Sequence, residues 1–488
     1  MKVWLLFIFI AGAFLSGCNS VPGEQVASVN QNPGIEPDYS NITLPVNIAP
    51  LNFKIHEDGD SYYVKIVNEK GESIGISGRS DGIITFPVRK WNKWLHKNTN
   101  STITYYIYVE KDGEWKEFQP FINFVSESKI SPYLYYRLLY PGYESWSEIS
   151  IMQRNLENFK GKTVVYNEVA DENCVNCHSF NQKNTDNFMF HMRGSLGGTY
   201  FLKDGDLEKF NLKTKEMQNG AVYPRWHPSG NYVAFASNKI VQQFHAMDKQ
   251  KIEVSDLNSS LVLFDVQANE MLQIPVDPEH KFMDTYPEWS PAGDYLYFCR
   301  SAQAGDKVDY RDIKYNLYRV HFNASNRSFS EPECVFDAEA IDKSVSFPRV
   351  SPDGKQLVFT LHDYGCFPIW HKEADLYTLN LDSLSVKELQ VNSDFTESYH
   401  SWSSNGKWIV FSSKRLDGLT ARPYISFVSA EGQATKPFVL PQKDPEFYSQ
   451  FLKTFNIPEF ADAEISFTPG EIRKAANKEA IGVKWSTK

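Results

Sequence analysis

The sequence predicts an all-β fold, a β-propeller of five to six blades preceded by a small β-sandwich, and three observations support this prediction. Aromatic residues make up 15% of the 488 residues, and glycine and proline occur throughout the chain. Such a composition favours strands over helices. Short segments with alternating apolar and polar residues recur along the first quarter of the chain, and one self-similar unit recurs along the second half.

The self-similar unit is the strongest indication of a propeller. It appears as YPRWHPSGNYVAFASN, YPEWSPAGDYLYFCRS, FPRVSPDGKQLVFTLH and YHSWSSNGKWIVFSSK, which begin at Tyr223, Tyr286, Phe347 and Tyr399. The spacings of 63, 61 and 52 residues are typical of propellers or solenoids. Each unit indicates a hairpin, and a second apolar pair such as LVLFDV and MLQIPV brings it to the four strands of a blade. FMFHMRG, TYFL and EKFNL indicate a degenerate first blade, so five blades are clear and a sixth is allowed.

The N-terminus has the pattern of an export signal. Lys2 precedes an apolar run that ends in Leu15-Ser16-Gly17-Cys18. The run is shorter than the roughly 20 residues that a spanning helix needs, so residues 1–17 are predicted to be a cleaved signal peptide. The tetrapeptide resembles the lipobox of bacterial lipoproteins, which implies that Cys18 carries the lipid and anchors the protein in a membrane. The alternative is an ordinary signal peptide with a chance cysteine.

The next two segments are predicted from local pattern. Residues 18–40 are polar, lack apolar periodicity and are expected to form a tether. Residues 41–127 contain the strand-like strings YYVKIV and ITYYIYVE around one helical string, RKWNKWLHKN, and are expected to form the β-sandwich. Gly71-Glu72-Ser73-Ile74-Gly75 matches the nucleophile elbow of hydrolases in letters only. That elbow needs a strand-to-helix turn, whereas this stretch is better explained as a hairpin turn.

The segment 128–185 is predicted to be a linker that carries chemistry, because it contains Cys174-Val175-Asn176-Cys177-His178. CxxCH is the signature of c-type haem attachment. The two sulfurs would form thioethers to one porphyrin, and His178 would ligate the iron. A Cys174–Cys177 disulfide, a zinc site and a chance match are the alternatives to haem. Zinc would need four ligands, and no second CxxC or HxxxH lies nearby.

Two family resemblances follow from these motifs. The blade units resemble Tol-B-like propeller repeats over roughly residues 186–440, which implies a Tol-B-like propeller, predicted here at residues 186–443. The chain as a whole resembles lipoproteins common in Bacteroidetes that combine one CxxCH with Tol-B-like blades. The strings YLYYRLLYPGYESWSEISIMQRNLENF, CVNCHSF, FMFHMRGSLGGTY and CFPIWHKEADLY carry this resemblance. It implies one covalent haem c and defines no activity. Residues 444–488 are expected to pack on the propeller or close it.

If haem is bound, its sixth ligand is expected close to the motif. His191, Met192 and Met189 all lie within fifteen residues of His178, and an open or water-filled position is the alternative. In a strand, Met189 and Met192 point to opposite faces, so at least one is expected in the core. Arg193 and Arg154 are candidates for the haem propionates or for ordinary surface ion pairs.

The remaining cysteines predict a free thiol, and the net charge bears on the kind of partner. Cys299, Cys334 and Cys366 are an odd set, so at least one free thiol is expected. The net charge of −10 and the lack of a basic cluster argue against nucleic acid as a partner.

Two classes of function follow. The first is a lipoprotein at the periplasmic side of the outer membrane, or at the cell surface, that uses haem c for electron transfer or redox sensing and docks a redox or other protein partner on its propeller. The alternative is a non-enzymatic scaffold that binds a peptide, a glycan or an envelope partner, with CxxCH structural. A hydrolase is a distant third, because no catalytic constellation accompanies the single elbow match.

Overall fold

A computed structural model describes residues 21–487 except 24–25, 144–147, 171, 204, 218, 248 and 304–307. The predicted signal peptide and Cys18 lie outside the described residues. Among the described residues, no helix combines the length and the apolar character needed to cross a bilayer.

The N-terminal domain consists of two sheets and one helix. In the seven-stranded sheet, β9 and β10 pair with the two ends of one edge of β8, and β5 pairs along the other edge, followed by β6. β1 pairs with β9 and β3 with β10. A three-stranded sheet has the order β2-β4-β7. The elements are β1 (Ala27–Ser28), β2 (Ile35–Glu36), β3 (Thr43–Pro45), β4 (Phe53–Ile55), β5 (Ser61–Asn68), β6 (Ser73–Ser77), β7 (Ile83–Ile84), α1 (Val88–Lys97), β8 (Ser101–Lys111), β9 (Glu114–Glu117) and β10 (Phe121–Ser126). Burial alternates along β5 and β8, as expected for strands with one face in the core. A two-sheet domain with one helix is present, as predicted. It begins before residue 41, however, because β1 and β2, within the segment 18–40 predicted to be a tether, pair with β9 and β4.

The rest of the described chain forms six sheets of four or five strands. The first three strands are β11 (Tyr133–Leu139), β12 (Ser150–Asn155) and β13 (Gly161–Tyr166). Blade 1 contains β14 (Cys174–Asn181), β15 (Asn184–Arg193), β16 (Gly198–Lys203) and β17 (Asp206–Asn211). Blade 2 contains β18 (Ala221–Trp226), β19 (Tyr232–Phe244), β20 (Ile252–Asp265) and β21 (Glu270–Gln273). Blade 3 contains β22 (Phe282–Trp289), β23 (Tyr295–Ala302), β24 (Asn316–Asn323), β25 (Ser328–Phe329) and β26 (Glu333–Phe336).

The chain then completes the ring. Blade 4 contains β27 (Ser344–Val350), β28 (Gln356–His362), β29 (Asp375–Asn380) and β30 (Val386–Glu388). Blade 5 contains β31 (Glu397–Trp402), β32 (Trp408–Ser413), β33 (Arg422–Phe427) and β34 (Phe438–Val439). The C-terminal segment contains α2 (Phe447–Gln450), β35 (Thr454–Ala461), α3 (Pro469–Ala476), β36 (Ile481–Gly482) and β37 (Lys484–Trp485). The predicted all-β propeller is confirmed, with six blades among the described residues.

Blade 6 joins two distant parts of the chain. Its strand order is β13-β12-β11-β35, so the strand Thr454–Ala461 pairs antiparallel with Tyr133–Leu139. The hydroxyl of Ser131 donates to Asp462 Oδ1 at 2.9 Å beside this junction. Beyond it, β36 extends blade 1 and β37 extends blade 2, both as parallel edge strands.

The propeller therefore begins earlier than residue 186, the start that the repeated units predict. Residues 128–185, predicted to be a linker, contain three strands of blade 6 and the inner strand of blade 1. The physical reason is pairing at long range. Strands β11 to β13 become a blade only when β35 supplies their inner neighbour, and no local repeat marks them.

The N-terminal domain packs against blade 5. Trp408, fully buried, donates its indole N–H to the carbonyl of Ser128 at 3.0 Å. One continuous apolar core contains both Trp91 of the helix α1 and Phe438 of blade 5. Lys54 also pairs with Glu446 at 2.7 Å. This interface fixes the N-terminal domain on the side of the ring.

Candidate functional site: the central cavity

The inner strands of the six blades share one backbone feature. Each contains a β-bulge whose first residue has φ between 49° and 53°, and the register of strand pairing shifts there. These residues are Cys177, Tyr223, Tyr286, Phe347, Tyr399 and Ile457. The next residue is proline or histidine in every blade, because the bulge releases a backbone N–H from the ladder. Cys177-His178-Ser179-Phe180 thus occupies the position of Tyr-His-Ser-Trp at 399–402.

The bulges line a central cavity of about 490 Å³, to which all six inner strands contribute. Its lining also includes three tryptophans and the prolines of the turns that follow them or their counterparts: Trp226, Trp289, Trp402, Pro228, Pro291 and Pro352. The cavity therefore extends from the bulges toward the turns that follow the inner strands. Two of the three tryptophans are held by hydrogen bonds, since Trp289 donates to the Arg225 carbonyl at 3.2 Å and Trp402 to the Arg349 carbonyl at 3.1 Å.

Four contacting aromatic rings form the floor of the cavity. The ring centroids of Tyr223 and Tyr286 lie 4.5 Å apart, those of Tyr286 and Phe347 4.1 Å, and those of Phe347 and Tyr399 4.8 Å. Because burial, together with the nearby Cys366 and Asp256, raises the pKa of Tyr223 well above its ordinary value, its phenol stays neutral.

A long hairpin, here called the arm (residues 238–244 and 252–258), covers the opposite side of this floor. It is the extension of β19 and β20 beyond the other strands of blade 2. Asp256 of the arm accepts from the Tyr315 hydroxyl at 3.0 Å and from Cys366 Sγ at 3.4 Å. Glu253 lies 3.1 Å from His371 Nε2, and both side chains are buried. The arm therefore reaches blades 3 and 4, and the cavity opens on the side of the turns.

Charged side chains occupy the cavity walls two residues after the bulges. Arg225 lies 3.0 Å from Glu288, and Arg349 lies 3.6 Å from the same carboxylate. Glu459 lies 3.6 Å from Lys183 and 3.9 Å from Arg225. Burial, and then the charge of Arg225, lowers the pKa of Arg349 to about 9. Sequence reasoning missed these residues, although Arg225, Glu288 and Arg349 stand at equivalent positions in the repeated unit.

Two of the three haem-motif residues face the cavity. Cys177 and His178 line it, and His178 is only 4% exposed. Neither ring nitrogen of His178 has a hydrogen-bond partner among the described residues. Burial lowers the pKa of His178 to about 4, so the imidazole is neutral at pH 7. Cys174 lies outside the lining, where its sulfur accepts from the Asn176 side chain at 2.9 Å.

The predicted sixth ligands are not brought to this cavity. His191 pairs across the strands with Asn176, and its Nδ1 lies 3.1 Å from Thr199 Oγ1. Met192 and Met189 are both buried, in two different apolar cores. None of these three residues lines the cavity.

The two arginines proposed for the haem propionates also lie elsewhere. Arg154 donates to the backbone carbonyls of Phe159 and Pro441. Arg193 is exposed at the residue paired with Cys174.

A haem c fits this geometry in part. The cavity offers one imidazole without a partner and one thiol, which suit axial ligation and one thioether. Residues three apart in a strand are separated by about 10 Å, and Cys174 contacts Asn176 instead of the cavity. Attachment through both sulfurs therefore requires another conformation of the first half of β14. Among the described residues, no group of three or more His, Cys, Asp or Glu is arranged to hold a metal ion.

The other described residues that the sequence analysis singled out as candidates do not line the cavity. Cys299 and Cys366 are buried free thiols in one apolar core, and Cys334 is an exposed free thiol. Ser73 is exposed and begins β6, which pairs with β5 after the turn at Gly71.

Comparisons with known proteins give likenesses to propeller proteins and peptidases. No protein-family model matches the chain. Dipeptidyl aminopeptidase B of Saccharomyces cerevisiae is 24% identical over 234 residues, which are 46% of this chain and 27% of that protein. The chain thus spans about a quarter of the length of that relative.

Among solved structures, TolB from Acinetobacter baumannii is 13% identical, with a TM-score of 0.44 over 74% of this chain and 79% of that one. The β-propeller domain of the Trilobed protease from Pyrococcus furiosus is 10% identical, with a TM-score of 0.33 over 66% and 78%. The chain's own six sheets and their shared bulge make it a β-propeller with a lined central cavity.

Proposed function

We propose that this chain is a binding protein whose central cavity takes a ligand from the side of the turns. The observation that carries the proposal is the His178 imidazole, which is buried at the cavity wall without a hydrogen-bond partner among the described residues. A buried polar group without a partner costs about 1–3 kcal/mol, and a ligand hydrogen-bonded to it would remove that cost. The cavity volume of about 490 Å³ lies within the range of sites that bind small molecules.

The mixture of lining residues supports the same proposal. Ligand cavities are mostly apolar with a few well-placed polar groups, and here tryptophan and proline walls surround a few charged side chains. The aromatic floor and the arm close one side, so a ligand enters from one direction. The chain is further proposed to be exported and held at a membrane through Cys18, as the N-terminal motif predicts.

Site-specific labelling tests the binding proposal. Cys177 lines the cavity and Cys334 is exposed on blade 3, so each thiol should react with N-ethylmaleimide and be followed separately by peptide mass spectrometry. We expect members of a probe panel (indole, N-acetyltryptophanamide, N-acetylphenylalanine and the peptide Ala-Ala-Phe) to slow the labelling of Cys177 but not of Cys334. Unchanged Cys177 labelling with every probe would overturn the proposal.

A covalent haem c in a redox protein is the second candidate function. The observation that favours it is the pairing of the Cys177 thiol with the unpartnered His178 imidazole on the wall of one cavity. The haem would supply one-electron chemistry, while Cys177 and His178 would hold it. The test is expression with a working haem-maturation system, followed by an absorbance spectrum and a pyridine haemochrome assay. Absence of a covalent pigment would exclude this candidate and leave the binding proposal standing.

A further inference from the structure

The charged side chains of the cavity carry one positive charge in excess. The residue two positions after the bulge is Ser179, Arg225, Glu288, Arg349, Ser401 and Glu459 in blades 1 to 6, and Lys183 lies beside them. These side chains include two guanidiniums and one ammonium against two carboxylates. Each carboxylate already has two cationic neighbours, between 3.0 and 3.9 Å away. A net charge in a buried site is costly unless an opposite charge compensates it.

The missing negative charge has a definite position. Among the described residues, Arg225 has two carboxylate neighbours in the cavity, Glu288 and Glu459. In the same part of the chain, Arg349 has only Glu288 and Lys183 has only Glu459, each at 3.6 Å, and Ser401 is neutral. Lys183 Nζ donates to Ser401 Oγ at 3.1 Å. Arg349 precedes Ser401 in the ring, and its carbonyl accepts from the neighbouring Trp402 at 3.1 Å. One of the two cations with a single carboxylate neighbour, Lys183, therefore contacts a neutral hydroxyl on the cavity wall, and the other, Arg349, stands on the preceding blade.

From this arrangement we infer that the ligand of the cavity carries a carboxylate, held between Arg349 and Lys183 at Ser401, on an apolar or aromatic body. The inference rests on the proposed binding function. A single negative charge matches the excess, and guanidinium groups bind carboxylates through paired N–H donors. The walls of Trp226, Trp289 and Trp402 suit an aromatic body.

The electrostatics of the two cations agree with this assignment. Burial, and then Arg225, lowers the pKa of Arg349, and burial lowers the pKa of Lys183. A bound carboxylate would favour the charged form of both side chains. The neutral imidazole of His178 can both donate and accept a hydrogen bond, so it suits an amide group on the same ligand.

The test compares acids with their matched amides. Calorimetry should show N-acetylphenylalanine binding at least tenfold more tightly than N-acetylphenylalaninamide, and more tightly than phenyl phosphate. Arg349→Gln and Lys183→Met should each reduce the preference for the acid to less than threefold. The control Arg319→Gln removes a cation that pairs with Glu333 on the outer side of blade 3, and it should leave the preference unchanged. Lys183→Met provides the test if Arg349→Gln fails to fold.

The outcomes separate this inference from the proposed function. If the acid and the amide bind equally, the carboxylate inference is wrong while the binding function stands. Tighter binding of phenyl phosphate would overturn the carboxylate in favour of a dianion. If no acid binds, the inference fails, and protection of Cys177 by uncharged indole decides the binding function separately. Tighter binding of Ala-Ala-Phe than of N-acetylphenylalanine supports a peptide C-terminus as the source of the carboxylate, and the reverse supports a small aromatic acid.

Discussion

His178 should make the folded protein sensitive to acid. Burial holds its pKa at about 4 in the folded state, against an ordinary value of 6.5. Between these two values the unfolded chain binds the proton more readily, so the free energy of unfolding falls as the pH drops from 6.5 toward 4. From about 1.4 kcal/mol per pKa unit, the loss between pH 7.5 and pH 5 is roughly 2 kcal/mol for this one residue. The contribution of His178 is almost fully present above pH 7, and it is lost as the pH falls through the folded-state pKa of about 4.

The variant His178→Gln isolates this effect, because glutamine is polar but does not titrate. Urea unfolding followed by tryptophan fluorescence at pH 7.5 and pH 5 should show that the variant loses roughly 2 kcal/mol less on acidification than the wild type. His321→Gln, at an exposed position of blade 3, is the matched control and should lose as much as the wild type. Equal losses in the wild type and His178→Gln would refute the reasoning.

Four further predictions concern the contact between the N-terminal domain and blade 5, the closure of blade 6, the CxxCH motif and the lipid anchor predicted at Cys18. Trp408→Phe removes the indole bond to the Ser128 carbonyl, and urea unfolding should show a loss of about 1–3 kcal/mol, whereas no loss would mean that the bond does not hold the N-terminal domain. Truncation before Thr454 removes the inner strand of blade 6 and should make the strands β11 to β13 susceptible to limited proteolysis; cleavage as slow as in the full chain would contradict this. Cys174→Ala combined with Cys177→Ala should abolish any covalent pigment on a haem-stained gel. Cys18→Ala should leave the protein in the soluble fraction after a high-salt wash, and retention with membranes would require another anchor.

The sequence predicts the blades whose repeated unit keeps its aromatic residue and its glycine turn. Units with Tyr223, Tyr286, Phe347 and Tyr399 at the bulge are recognisable at sight. Blade 1 has Cys177 there, so the sequence predicts only its outer strands, and blade 6 has Ile457. Neither has the Ser-Pro-x-Gly turn, so the bulge, which is a backbone feature, is retained while the letters change. The pairing of Thr454–Ala461 with Tyr133–Leu139 leaves no local pattern at all.

The sequence likewise predicts only part of the candidate site. The CxxCH motif directs attention to Cys177 and His178, and both do line the cavity. Arg225, Arg349 and Lys183 look like ordinary strand and turn residues until the six blades are closed, because their proximity depends on the ring and not on sequence spacing. Local motifs therefore identify single side chains, whereas the charge balance of the cavity appears only in three dimensions.

The closure of blade 6 imposes an order of events on folding. The bond between Ser131 and Asp462 spans 331 residues, and contacts so distant in sequence form late because their loops are entropically costly to close. Until Thr454–Ala461 arrives, the strand Tyr133–Leu139 has an open edge, which is a template for association with other chains. A chain emerging gradually from a ribosome or an export channel would expose that edge throughout its passage. A chaperone that binds extended strands would therefore protect this protein most at residues 133–139.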